Sequence, residues 1–315
     1  MKSIFRPQLG EIDPKKALEA MMEIRTKRAL ARRNFIKNVG LAGVGMAAGA
    51  IIDGCSSSSV SHAQGPTPND ILNFALNLEY LEGEFYSWAT TGGPLSSTVL
   101  GANSMAENGS QVDFVTSEIQ DVAGEIAFDE MLHVQFLRSA LGAAAVAEPV
   151  IDLSALGAYT NEYTFLTIAR AFEDVGVSAY AGAAPGLVSN PVFLGAAAQI
   201  LAVEAYHAGN IRLNVILKEN QLLAPNYAAA IPSAVDSMDI PPQDTPFPNA
   251  APFGQPPNMA HYFTTIQSGA SQGLAVIRNT SEVLAIVYGN AAIGTSSGGF
   301  FPNGVNGTIN TVTTT

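Results

Sequence analysis

Glu130-Met131-Leu132-His133 and, further along, Glu204-Ala205-Tyr206-His207 decide how this chain is read. In each, a histidine stands three residues after a glutamate, inside a run whose apolar residues recur at helical spacing. Ile126, Ala127, Val134 and Leu137 surround the first, and Ile200, Leu201, Ala208 and Ile211 the second. Residues three apart on a helix share a face, so each helix offers one carboxylate and one imidazole toward the same point in its core. The chain has four histidines, at 62, 133, 207 and 261, and two of them carry this spacing. His261, in proline-rich surroundings, is read as capping or packing.

Two more helical runs complete the pattern. Glu79 lies among Leu72, Ala75, Leu76 and Tyr86, and Glu173 among Leu166, Ala169, Val177 and Tyr180; in both, the tyrosine follows the glutamate by seven residues. Two helical turns put each phenol on its glutamate's face, where it can donate to a carboxylate arriving from another helix. Tyr86 and Tyr180 are therefore read either as orienting ligands or as filling the core. The whole is a duplicated helix pair, Glu79 and Tyr86 then Glu130 and His133, followed by Glu173 and Tyr180 then Glu204 and His207.

Four carboxylates buried together would be prohibitive without compensating charge. Two divalent cations balance four glutamates and two neutral imidazoles. Mixed carboxylate and imidazole donors suit iron or manganese better than calcium, which takes oxygen alone, or structural zinc, which favours sulfur. The expected metal ligands are thus Glu79, Glu130, His133, Glu173, Glu204 and His207. Glu82 and Glu84 rival Glu79, and Glu82, three residues on, is a candidate extra bridging ligand. Glu125, Asp129 and Asp174 are read as solvated or as supporting the ligands from behind.

The helices are expected over 70–90, capped by Asn69 and Asp70; from Ser110 and Asp113 to a stop at Gly142; over 161–182, closed by Gly182 and Pro185; and from the cap Asn190-Pro191 to about 219. No segment shows sustained period-two alternation, so an all-α, antiparallel up-and-down four-helix bundle is the expected architecture. Past residue 220 nine prolines fall between 225 and 257, and a further helical pattern runs from Glu282 to Tyr288, stopped by Gly289. The expected organisation is a leader over 1–63, the bundle over 64–220, and a Pro/Gly-rich extension over 221–315 packed on it. There Phe247, Phe253, Tyr262, Phe263 and Phe300 are expected to cover helix faces.

Hydrophobic residues make up 47% of the chain and charged ones 13%, which excludes intrinsic disorder. Ten of the 15 basic residues lie within the first 37 positions. From residue 64 onward five basic residues face 22 acidic ones, a balance that repels nucleic acid and anionic lipid. Ala31-Arg32-Arg33-Asn34-Phe35-Ile36-Lys37 precedes fifteen uncharged residues, 38–52, too short and too weakly apolar to span a bilayer stably. Arg32 and Arg33 in this context resemble the bacterial twin-arginine export signal. Ser61-His62-Ala63 suits ordinary cleavage before Gln64, while Ile52-Asp53-Gly54-Cys55 offers a lipoprotein-type alternative with lipidation at Cys55, the chain's single cysteine. A periplasmic or extracellular protein is expected, without a disulfide and without a transmembrane domain in its mature form.

The stretch Leu72-Asn73-Phe74-Ala75-Leu76-Asn77-Leu78-Glu79-Tyr80-Leu81-Glu82 resembles the exported, desiccation-related branch of the ferritin-like superfamily, and so do Val283-Leu284-Ala285-Ile286-Val287-Tyr288-Gly289 and Gly299-Phe300-Phe301-Pro302-Asn303-Gly304. The resemblance implies a ferritin-like metal-binding bundle. The chain lacks the cysteine-ligated iron module of rubrerythrins, which speaks against peroxide reduction by that route, and it exceeds cage ferritins in length, which speaks against storage in a shell. Two functions are expected as alternatives: a dinuclear Fe or Mn centre reacting with O₂ or peroxide in stress protection, or a desiccation-protective structural protein whose metals only hold the bundle together.

Overall fold

The computed structural model describes residues 65–157, 159–222, 244–245, 266–267 and 275–313, with side chains up to Lys218 in the last bundle helix. The chain divides between Ser59 and Val60, and every described residue lies in the second unit. Arg32, Arg33, Cys55, Ala63, His261, Phe247, Phe253, Tyr262 and Phe263 lie outside the described residues.

The fold is an all-α bundle of four long helices: α1 (Pro68–Thr91), α2 (Ser117–Leu141), α3 (Glu162–Ala183) and α4 (Pro191–Leu222). A shorter helix, α5 (Thr280–Val287), belongs to the C-terminal segment, and one helical turn, Ser97–Leu100, lies between α1 and α2. α1 begins earlier than Asn69 and Asp70 suggest, because Thr67 is its cap. The Thr67 hydroxyl accepts the Asp70 amide, Asp70 accepts the Thr67 amide at 2.8 Å, and Pro68 fills the first helical position. Gly92, at φ 75°, ends the helix.

α2 starts at Ser117 rather than near Ser110. Residues 112–116 are held extended by neighbours: the Val112 amide donates to Ala89, the Asp113 amide to Thr160, and Thr116 donates through amide and hydroxyl to Glu162. Branched Val115 and Thr116 favour that extended form. Gly182 does not terminate α3, which runs on to Ala183 and then a 3₁₀ turn through Pro185. Its role is close approach, since a Cβ there would collide with the backbone of Arg278, whose amide donates to Ser178 at 3.1 Å.

α1 packs mainly on α2, and α3 on α4. Asn73, early in α1, exchanges hydrogen bonds with Ala144 and Val146 just beyond α2, so these helices run antiparallel. Lys218, late in α4, pairs with Glu162 at the start of α3, so these do too. Glu162 also holds Thr116, at the start of α2. The link 142–161 therefore returns along the length of α2, pairing its strand β2 (Ile151–Asp152) in parallel with β1 (Ala106–Glu107) on the way. Packed neighbours are antiparallel as expected, but the connectivity is one long crossover rather than simple up-and-down.

α1 is buried from Ile71 to Tyr86 without a break. The C-terminal segment accounts for one side of it. Buried Asn77 donates to the Asn306 carbonyl at 2.8 Å and accepts the Asn306 amide at 2.9 Å, while Phe301, Val283 and Leu284 are fully buried in the common core. Phe300 packs on Phe172 of α3 with ring centroids 5.4 Å apart. What the proline-rich composition presents as an appendage contributes, over 275–313, to the same hydrophobic core.

Candidate metal centre

Helical spacing aims the residues inward, and the four-way packing brings them together. Glu79, Glu130, His133 and Glu204 offer ligand atoms all within 4.8 Å of one another, and so do Glu130, Glu173, Glu204 and His207. All six side chains are buried. Glu130 and Glu204 belong to both groups. Glu130 Oε2 lies 3.1 Å from His133 Nδ1 and its Oε1 lies 3.0 Å from His207 Nδ1, so one carboxylate faces both histidines. His133 Nδ1 also lies 3.2 Å from Glu79 and 3.3 Å from Glu204, and His207 Nδ1 lies 3.4 Å from Glu173.

The tyrosines act crosswise. Tyr86 of α1 donates to Glu173 of α3, and Tyr180 of α3 donates to Glu79 of α1. Each phenol reaches the other helix's glutamate only because α1 and α3 run in opposite directions. Burial, with the charge of Glu173 beside Tyr86 and of Glu79 beside Tyr180, pushes both phenols well above their usual range, so they remain donors.

The cluster holds more acceptors than donors. Glu130 Oε1, Glu173 Oε2, both oxygens of Glu204 and both ring nitrogens of His207 are buried without a hydrogen-bond partner. Burial pushes Glu79 up to about 7 against the opposing pull of His133, and raises Glu173 and, well beyond, Glu204. Burial acts the same way on Glu130, but His133 and His207 outweigh it and hold that carboxyl below the usual range. Burial lowers both imidazoles, and the carboxylates around them more than reverse it. Without cations, this centre relies on protons.

Glu82 lies outside both groups of four, yet it is buried beside them. A Cβ on Gly176 would stand 3.2 Å from Glu82 Oε1 and 2.5 Å from Glu204 Oε2, so the two carboxylates flank the bare Cα of Gly176. Burial, then Glu204 and Glu130, pushes Glu82 well up. Glu84 is no rival to Glu79: it turns away and accepts the Leu95 amide at 3.0 Å and the Ser104 hydroxyl at 2.8 Å. Glu125 is exposed. Asp174 is taken up by Arg212, at 2.7 Å from Nε, and by Arg170 at 3.4 Å. Asp129 is the one of these acids that faces a candidate ligand, His207, at 3.5 Å. Its place directly before Glu130 is the only sequence signal of this, and Gly176, absent from the sequence-based ligand list, gives none.

Residues 191–218 of α4 are long and apolar enough to cross a membrane by composition alone. Buried Glu204, His207 and Arg212 on that helix face the bundle, as suits a core helix.

Residues 68–216 match the family described as ferritin-like domain. The chain is 30% identical to the desiccation-related protein PCC13-62 of Craterostigma plantagineum over 186 residues, covering 52% of this chain and 58% of that protein. The chain thus spans less than two thirds of that relative's length. It is 23% identical to the ferritin-like catalase Nec2 of Nesocodon mauritianus over 277 residues, covering 76% of this chain and 84% of that protein.

Proposed function

Taking as premise that residues 68–216 are a ferritin-like domain, we propose that the bundle holds two Fe or Mn ions and reacts with O₂ or peroxide in protection against oxidative stress. The observation that carries the reading is the convergence of four buried glutamates and two imidazoles in which Glu130 Oε1, Glu173 Oε2 and both oxygens of Glu204 find no hydrogen-bond partner. Divalent cations are the compensation this donor set fits. Glu130 and Glu204, common to both groups, would bridge. Glu79 with His133 and Glu173 with His207 would each complete one ion's set.

Bound metal would supply the electron transfer that none of these side chains can provide. The chain's own part is to hold and insulate. Tyr86 and Tyr180 fix Glu173 and Glu79 in place, and Phe85 and Phe165 pack against the Tyr86 ring with centroids 5.0 Å and 5.9 Å away. The near-complete burial of His133 and His207 restricts access to small oxidants. Peroxide dismutation, the activity named for the Nesocodon relative, is the first reaction to assay.

Metal analysis of the purified protein, with peroxide and O₂ consumption measured on the same sample, tests the reading. Two ions per chain with turnover supports it, and less than half an equivalent after reconstitution refutes it. Two ions that remain inert toward both oxidants support the structural alternative, favoured by the name of the Craterostigma relative.

Export through the twin-arginine machinery belongs to the same proposal, since that route carries folded, metal-loaded proteins. Replacing Arg32 and Arg33 together by lysine leaves the full-length protein in the cytoplasm if it holds. The mass of the mature N-terminus decides between cleavage before Gln64 and lipidation at Cys55.

A further inference from the structure

The inner residues of the centre repeat: Glu79 and Tyr86 on α1 answer Glu173 and Tyr180 on α3, and Glu130 and His133 on α2 answer Glu204 and His207 on α4. Two positions break the repeat. Asp129 directly precedes Glu130, and its carboxylate lies 3.5 Å from Nε2 of His207, the ring nitrogen turned away from the cluster. The corresponding residue before Glu204 is Val203, half-buried as Asp129 is, with no polar atom to offer. Among the described residues, every ion-pair contact of His133 runs through Nδ1 and none through Nε2. The second break is Glu82, three residues after Glu79, against Gly176, three residues after Glu173.

A carboxylate facing Nε2–H keeps the proton on that nitrogen, which leaves the Nδ1 lone pair free for a cation and makes the ring a stronger donor. It also fixes the ring's orientation. Removing such a partner typically lowers metal affinity by roughly 10- to 100-fold. Among the described residues, only His207 has it.

We propose that the two metal positions are unequal: the one served by His207 binds first and more tightly because Asp129 orients that imidazole, and the one served by His133, with Val203 in the equivalent place, fills second. This rests on the dinuclear reading above. Asp129 is a positioning residue, acting through His207, and its 28% side-chain exposure allows it to be replaced without opening the core.

The test is a titration of metal-free protein with Mn(II) alone, free ion being followed by electron paramagnetic resonance. Wild type is expected to bind two ions in steps at least about tenfold apart. Asp129→Ala should weaken the first step by roughly 10- to 100-fold and leave the second within about twofold. Asp129→Asn, whose amide oxygen can face Nε2–H from the same place, should recover part of the loss, and Val203→Asp should tighten the second step. Metal-free Asp129→Ala should unfold at the wild-type temperature. Equal steps in wild type, or an Asp129→Ala that weakens both steps alike or neither, overturns the inference while leaving two ions bound. Failure of wild type to take up two ions removes the dinuclear reading itself at the first titration, before any variant is made.

Discussion

The bundle buries acid in two places and treats it in opposite ways. At the edge, Glu84 accepts the Leu95 amide and the Ser104 hydroxyl, and Glu148 accepts the Met105 amide at 2.6 Å. Burial raises both carboxyls, and Glu84 pushes Glu148 further up, while Glu148 Oε1 is the one oxygen of the pair left without a hydrogen-bond partner. At the centre, both oxygens of Glu204 and one each of Glu130 and Glu173 find no hydrogen-bond donor. Buried acid supplied with N–H and O–H donors ties loops to a helix. Buried acid denied them, and given imidazoles instead, is a site for cations.

The largest expected effect breaks the comparison if it fails. Since Glu130 and Glu204 each face both halves of the centre, Glu130→Ala or Glu204→Ala should cost both ions, whereas Glu79→Ala or Glu173→Ala should cost one. Metal content after reconstitution reads it, with exposed Glu125→Ala as the control; Glu130→Ala binding as much metal as that control would remove the case for the site.

Next is Glu84→Ala, which strands the Leu95 amide and the Ser104 hydroxyl. It should lower unfolding stability by about 2–4 kcal/mol in denaturant titration while metal content stays at the wild-type value. Loss of metal together with stability would show that the two acid clusters are one system.

pH sharpens the contrast. At the centre, metal must displace the protons that burial keeps on Glu79, near pH 7, and on Glu173 and Glu204. Binding should therefore release protons, and affinity should rise with pH across 6–8 in calorimetry run in two buffers. At the edge, burial and then Glu84 push Glu148 up to about 8. A carboxyl with a raised folded pKa binds more protons folded than unfolded, so its stabilisation is complete below the unfolded value and is lost as pH rises through about 8. Comparison of wild type with Glu148→Gln at equal metal loading separates this effect from the metal's opposite pH dependence: between pH 5 and pH 8 the melting temperature of wild type should fall more, or rise less, than that of the variant.

The smallest effect is that of the phenols. Tyr86→Phe or Tyr180→Phe removes one donor to a carboxylate that a cation can still hold, so metal affinity should fall by less than about tenfold with two ions retained. A loss as large as that of Glu130→Ala would make the tyrosines part of the donor set itself.

The sequence by itself determined the four long helices, the inward stripe of each, and the six residues that meet, because helical periodicity is local: positions three, four and seven apart share a face whatever else the chain does. It also carried the repeat that pairs Tyr86 with Tyr180. It left Glu79, Glu82 and Glu84 as rivals, since a helix buried on every side, as α1 is from Ile71 to Tyr86, has no polar face to mark which acid points where. Only the tertiary structure sent Glu84 to the loop at Leu95, made Glu130 and Glu204 common to both histidines, set Asp129 behind His207 but not behind its counterpart, and drew 275–313 into the core. The start of α2 at Ser117, the crossover of 142–161 and the close approach at Gly182 were decided in the same way. Each depends on a contact between residues tens to hundreds of positions apart, and the energy of such a contact appears only once the helices have packed, so no local pattern can record it.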